Sequence, residues 1–427
     1  LVNLNAAWFG LGYLWNGLHT ILLPVMLIGV VPANLKNTYL GGLTFIGLLL
    51  AMVAQPIAGT VSDRSGWLGR YGKRRPWMVL GTLLDVLFLV GLALAGNLWL
   101  LVLGYVGLQL ASSVVEASLQ GLLPDLVPSS QRGRAAGYKN AAQIAGFVAG
   151  VGLGGLLAGQ GHLDWALAVT TGLVLLTVLW TIVGVREAPV HRRRRRALGV
   201  AEALRELFVH SFQFDHQAVP GYARLLAGRA LLLGGFFALQ GFAQYYVADA
   251  LAVSNPAGIT ALLMAVMGIA VFLLAVPTGA LADRVGRKPL NLAAGVLGAL
   301  ATLALILVTN TSQLVIVGGL VGASVGIFLS VNWAWAADLV PVNEAGRYLG
   351  LSNLATAGAS AFSRLLAGPI VDAGNAFHLG LGYNMLFLVL AAGMAAGTLL
   401  LAAVPETGAG PSESAADPVT VDVERKL

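Results

Sequence analysis

The feature that most limits how this chain can fold is a series of long apolar runs. Each is about as long as the roughly 20 residues a helix needs to cross a bilayer. Twelve fall near residues 5–30, 39–59, 76–96, 98–123, 134–159, 163–185, 223–248, 257–280, 287–309, 312–337, 347–372 and 382–404. They are too long and continuous for the short alternating strands of a membrane barrel. A segment in hydrocarbon must also satisfy its backbone polar groups within itself. An all-α membrane protein of twelve transmembrane helices is therefore expected, multi-pass in a plasma or inner membrane. Composition agrees: charged residues are 10% of the chain, against about 25% in an ordinary globular protein. The chain has no cysteine, which excludes disulfides, thiolate metal sites and a cysteine nucleophile. Residue 1 is Leu, so the native N-terminus is expected upstream. Residues 5–30 are too long, and too closely followed by a second run, to read as a cleaved signal peptide.

The runs group as residues 1–185 with six spans, a polar basic linker at 186–222, residues 223–404 with six more, and a tail at 405–427 whose composition predicts disorder. Lysine and arginine fix the orientation. With the N-terminus cytoplasmic, 21 of the 25 fall in cytoplasmic segments, Lys36 alone is external, and Lys139, Arg229 and Arg364 lie inside spans. Both termini are thus expected in the cytoplasm. The net charge of +6 reflects topology, and no nucleic-acid partner is expected. The Arg192–Arg196 run reads as a topology anchor or as a site for anionic lipid. After it, Leu204, Leu207, Phe208 and Phe212 recur at helical spacing, which predicts a short helix on the inner membrane surface.

The two halves repeat. Asp125 begins DLVPSSQRGRAAGYKN and Asp338 begins DLVPVNEAGRYLGLSN, with Asp, Leu, Val, Pro, Arg, Gly and Asn recurring at a constant offset of 213. The loops after the second and eighth spans also correspond: GTVSDR ends at Arg64 and GALADR at Arg284, followed by GKRRP and GRKPL. Duplicated six-helix halves of this kind are related by an axis along the membrane normal, and the expected site lies at midplane between them.

These motifs carry a resemblance. G-x-x-x-D-R followed by G-[RK]-[RK] after spans two and eight resembles the signature of the major facilitator superfamily, and the likeness extends over the whole chain. More finely, Gln55-Pro56-Ile57-Ala58-Gly59, Ser62-Asp63-Arg64 and Gly72-Lys73-Arg74-Arg75-Pro76 resemble the sucrose carriers and the glycoside–pentoside–hexuronide cation symporters. The resemblance implies the major facilitator fold, two pseudo-symmetric six-helix bundles working by alternating access as a monomer. It implies a cavity lined by the first, fourth, seventh and tenth spans. It also implies a cytoplasmic latch of Asp63, Arg64 and Arg74, to which Asp125, Arg134, Asp283, Arg284, Asp338 and Arg347 could add matching pairs. The second span offers Thr44 and Gln55 where sodium-coupled members carry acids. Gln109 and Gln120 stand where sucrose carriers hold an acid and an arginine. Span five lacks the Gly-Pro motif of drug antiporters.

Spacing gives independent candidates. Gln109, Ser112, Ser113, Glu116 and Gln120 form one polar stripe on span four, and Asn353, Thr356, Ser360, Ser363 and Arg364 another on span eleven. A polar stripe faces protein or water rather than lipid. Glu116 lies well inside span four, and a buried carboxylate without a partner favours its protonated form, the property that proton coupling needs. The alternative for it is a fixed ion pair with Lys139. Asp85, inside span three, is a structural hydrogen-bond partner or a second coupling group. Arg364 contacts solute or neutralises an acid. Sugar sites combine an aromatic platform with amides that donate and accept. Candidates are Trp15, Asn16, His19, Gln109 and Ser113, then Phe237, Gln240 and Gln244 on span seven, Asn332 and Trp335 on span ten, and Asn353 and Arg364 on span eleven. For Trp335 an interfacial belt is the alternative.

The expected function is secondary active transport of a small polar solute, a sugar or glycoside favoured, by proton symport and without a metal or other cofactor. Two alternatives stand beside it: a proton-coupled exporter of amphiphilic or cationic compounds, and a membrane sensor that does not transport. No nucleophile–base pair, metal-ligand spacing or phosphate loop points to an enzyme.

Overall fold

The computed structural model describes residues 1–64, 71–128, 131–187, 221–340 and 345–405. The linker helix expected near residues 204–212, the Arg192–Arg196 run and the tail beyond residue 405 lie outside the described residues. Twelve helical crossings are present among the described residues. They are α1 (Val2–Gly17, continued through Leu18–Leu22 and Leu23–Leu27), α2 (Lys36–Arg64), α3 (Arg75–Ala93), α4 (Leu98–Leu126), α5 (Arg132–Gly159), α6 (Leu163–Gly184), α7 (Tyr222–Asp249), α8 (Pro256–Val285), α9 (Arg287–Ala304), α10 (Thr311–Leu339), α11 (Ala345–Asn375) and α12 (Leu381–Ala402). Eleven are long and apolar enough to span a membrane as unbroken helices; the first crossing is divided into shorter pieces. Its helix stops at Leu27, three residues before the end of the apolar run, where Ile28 turns extended.

The break in α1 has a chemical cause. Pro24 lacks an N–H and cannot close a helical hydrogen bond onto the preceding turn. Residues Leu18–Leu22 adopt a wider π-helical turn, a distortion that often marks functional segments. The carbonyls of Thr20 and Ile21 find their donor on α7: the Gln244 amide, turned with its nitrogen toward α1, meets them at 3.1 and 3.3 Å. Gln244 thus repairs the α1 backbone, and the structure places it behind the cavity described below.

Within the first half α1 packs on α5 and α6, and α3 on α4 and α6; within the second, α8 and α9 pack on α10, and α7 on α11 and α12. Seams between the halves run along α2–α11 and α5–α8. The repeat is visible in local chemistry. Asn97 caps α4 by accepting from Leu100 N–H at 3.0 Å, and Asn310 caps α10 by accepting from Gln313 N–H at 3.0 Å. These are the same positions of the repeat.

Two glycines of α5 seat that helix closely on α1. A Cβ on Gly146 or Gly150 would clash with the carbonyl oxygen of Phe9 or Tyr13 on α1. Gly137, Gly350 and Gly358 face open space. Gly150→Leu is therefore expected to drive α1 from α5 and lower stability by roughly 1–3 kcal/mol, as overpacking does. Gly152→Leu, at a position with no atom within 4 Å, serves as control. Equal melting temperatures for the two detergent-solubilised variants would contradict this packing account.

At the end that the charge count assigns to the outside, the halves are pinned together. Lys36 on α2 pairs with Asp249 on α7 at 2.6 Å, and Tyr383 on α12 donates to the same carboxylate at 2.6 Å. Asn37 Nδ2 and Thr38 N–H donate to Asp372 on α11 at 2.8 and 2.7 Å. Tyr245 donates to the Pro24 carbonyl at 2.8 Å. Backbone approaches complete the seal: a Cβ on Gly41 would clash with the Arg364 carbonyl oxygen, and one on Gly368 with that of Asn37.

The cytoplasmic ion pairs stay within each half. Asp63 pairs with Lys73 at 2.6 Å and with Arg74, and Arg74 pairs with Asp125 at 3.1 Å. Arg287 pairs with Asp338, and with Asp283 at 3.7 Å. Arg74–Asp125 and Arg287–Asp338 are the same contact in the two repeats, at the 213-residue offset. Arg134 and Arg284 are exposed and join no described ion pair; the side chains of Arg64 and Arg347 lie outside what is described. Among the described residues, no ion pair crosses between the halves at this end.

Candidate functional site

A cavity of about 280 Å³ lies between the halves, walled by α1, α2, α4, α5, α7 and α11. Its lining includes Trp15, Asn16 and His19 from α1, Gln109, Ser112, Ser113 and Glu116 from α4, Phe237 and Gln240 from α7, and Ser360 and Arg364 from α11. The α4 stripe shows which way it opens. Gln109, Ser112 and Ser113 are buried, Glu116 is half-buried, and Gln120, nearer the cytoplasmic end, is exposed. With the outer ends pinned, this is an inward-facing arrangement.

Among the described residues, Glu116 is the one acid in the lining. Its carboxylate accepts from the Gln55 amide at 2.5 Å, and Trp15 shares the same lining. Lys139 acts on it electrostatically, yet no described ion pair within 4 Å joins them. The Lys139 ammonium sits instead over the Trp8 ring, 3.9 Å from its centroid. Glu116 can therefore gain or lose a proton without breaking an ion pair. Asp85 is fully buried behind the wall, where Ser112 donates to it at 2.8 Å. One hydroxyl that faces the cavity separates it from the lumen.

The remaining polar groups form a bridge between halves. Asn16 donates to the Gly12 carbonyl at 2.9 Å, and its side-chain oxygen accepts from Gln240 at 3.3 Å. His19, within the widened turn of α1, bonds the Tyr105 hydroxyl at 2.8 Å through Nε2, and its ring lies 5.1 Å from that of Trp15. Ser113 donates back to the Gln109 carbonyl at 2.7 Å, which leaves its oxygen lone pairs for the lumen.

Several sequence candidates lie elsewhere. Asn332 accepts from Arg229 Nη1 at 2.6 Å, and Thr356 accepts from Arg229 Nε at 2.9 Å; that buried cation draws Asn332 away from the cavity. Trp335 is only 1% exposed, so it belongs to the protein core and not to an interfacial belt. Asn353 is exposed near the cytoplasmic end of α11. Conversely, Gln143 lines the cavity and was not singled out. Its signal was present: it shares a helical face with Gly146 and Gly150, the face that meets α1.

The family described as MFS/sugar transport protein matches residues 6–405. The chain belongs to the MFS/sugar transport family. This MFS transporter is an integral multi-pass membrane protein, and the family and its structural neighbours are membrane transporters rather than enzymes. It is similar to multidrug resistance protein MdtG of Citrobacter koseri, 26% identical over 333 residues, covering 77% of this chain and 78% of that protein. It is likewise similar to MdtG of Klebsiella pneumoniae, 25% identical over 336 residues, covering 77% and 76%. Among solved structures, the nucleoside transporter NupG superposes with a TM-score of 0.70 at 14% identity, covering 94% of this chain and 98% of that one. A D-xylose-proton symporter superposes with a TM-score of 0.70 at 18% identity, covering 95% and 98%. At these identities the structural neighbours show the major facilitator fold, with the two six-helix bundles that the repeat predicts.

Proposed function

We propose that this MFS transporter moves a small polar solute, a sugar or glycoside favoured, by alternating access, in symport with a proton held at Glu116. The carrying observation is the cavity itself. Amides from both halves bridge it, aromatic rings stand beside them, and its single carboxylate is held by the Gln55 amide. Its volume sits at the small end of the roughly 300–1,000 Å³ of ligand pockets, which suits one or two sugar rings. The QPIAG, SDR and GKRRP stretch supports the sugar class, and a proton-coupled xylose carrier shares the fold.

The MdtG relatives favour a second reading, proton-coupled export of amphiphilic or cationic compounds. Proteoliposomes with a pH gradient separate the two. The first reading expects uptake of a radiolabelled sugar that collapses when a protonophore is added. Gradient-driven movement of ethidium, with no sugar on a broad panel transported, would replace it with the second.

A further inference from the structure

Arg364 does not fit a cavity built only for neutral hydroxyls. It projects from α11 into the cavity lining and is 4% exposed. Its Nε and Nη1 have no hydrogen-bond partner, and no described acid lies within 4 Å of it. An arginine stays charged at any ordinary pH and carries five donors in a fixed fork. A buried cation left unanswered is costly to hold. The chain nevertheless makes room for it: Gly241 on α7 faces the guanidinium, and a Cβ there would come within 3.3 Å of Nε. Arg229 is the contrast. It too lacks a described acid, but Asn332 and Thr356 answer it and Trp333 lies 5.5 Å away across its cation.

We infer that Arg364 is an anion-recognition residue and that the transported solute is a small organic anion whose carboxylate or phosphoryl group docks on this guanidinium. This rests on the transporter reading above and narrows its substrate class. Charge balance supports it. Among the described residues, Glu116 and Arg364 are the only carboxylate and guanidinium in the lining. With Glu116 protonated, the lining holds one positive charge that a monoanion neutralises. The guanidinium fork matches carboxylate and phosphate oxygens two at a time, while His19, Gln240 and Ser360 stand near enough in the same lining to meet hydroxyls. A monoanion carried with one proton moves no net charge, whereas a neutral sugar carried with one proton moves one.

The test uses the full-length protein and five probes: D-gluconate, D-glucose 6-phosphate, D-glucose, inorganic phosphate and, as a cationic amphiphile, tetraphenylphosphonium. Thermal stabilisation of the wild type is expected from gluconate or glucose 6-phosphate and not from glucose. Arg364→Gln should weaken that anion's binding roughly 30-fold or more, as loss of one partner in a buried charge pair does, and Arg364→Lys should retain part of it. In wild-type proteoliposomes, pH-driven uptake of gluconate, the monoanion of the set, should be indifferent to an imposed potassium–valinomycin potential. This last readout does not depend on any variant folding.

Equal responses to glucose and to the anions, or an unchanged anion affinity in Arg364→Gln, would overturn the inference and leave the sugar carrier standing. So would a response to inorganic phosphate as large as that to the organic anions, which would reduce the site to a small-ion pocket. A response to no anion would equally overturn it. Stabilisation only by tetraphenylphosphonium would remove both the inference and the symport reading.

Discussion

Replacing Glu116 with glutamine is expected to abolish accumulation against a gradient while leaving solute exchange intact. A one-unit pH gradient stores about 1.4 kcal/mol per proton, enough for about tenfold accumulation of a solute moved with one proton and no net charge. In Glu116→Gln the new amide would keep the shape of the side chain beside Gln55 and Trp15 but would hold no exchangeable proton. Uptake should then stop at equal concentrations inside and out. Exchange requires only the loaded carrier to reorient, so labelled solute should still swap across the membrane near the wild-type rate. Tenfold accumulation by the variant would remove Glu116 from the coupling mechanism. The next acid to test would be Asp85, one hydroxyl behind the cavity wall.

The second large effect is expected at the outer seal. Asp372 accepts from Asn37 and Thr38 across the α2–α11 seam, and both bonds exist only while the outer ends are together. Hydrogen bonds to charged groups contribute about 1.5–3 kcal/mol each. Loss of the pair in Asp372→Ala should therefore shift the equilibrium toward outward opening by about 100-fold or more. Because these 427 residues contain no cysteine, Ser113→Cys in the cavity becomes a single reporter. Its reaction with an impermeant maleimide added outside should accelerate at least tenfold when Asp372→Ala is added. No acceleration would mean that Lys36, Asp249 and Tyr383 hold the seal without Asp372.

Helical periodicity made some of this site legible before any coordinates, and its failures follow one rule. On α4 the polar stripe is the cavity face, because hydroxyls, amides and a carboxylate at one face of a span cannot point at lipid. Gln109, Ser112, Ser113 and Glu116 all reach the lining. On α7 spacing decides less. That helix is buried on nearly every side, so periodicity cannot say which polar group meets the lumen and which meets a neighbouring helix. Gln240 faces the cavity, whereas Gln244 serves the α1 backbone freed by Pro24. Asn332 was diverted in the same way by Arg229, a partner 103 positions away in sequence. The repeated loops marked the acids of the cytoplasmic ion pairs but not all of their partners: Arg74–Asp125 and Arg287–Asp338 occupy matching places, yet Arg287 was not among the candidates, and Arg134 and Arg284, which were, join no described pair. Nothing in the sequence signalled which end of the molecule would be shut.

One residue belongs to both the shut end and the cavity. The Arg364 carbonyl rests against Gly41 in the outer seam, and its side chain reaches into the lumen. Glycine lets the backbones of α2 and α11 come close at this point, while Phe45 packs on Phe362 beside it with ring centroids 5.3 Å apart. Arg364 then behaves as a lever with its short arm in the seam and its long arm in the lumen. A load on the long arm is felt at Gly41, and by reciprocity a wedge at Gly41 changes how tightly the load is held.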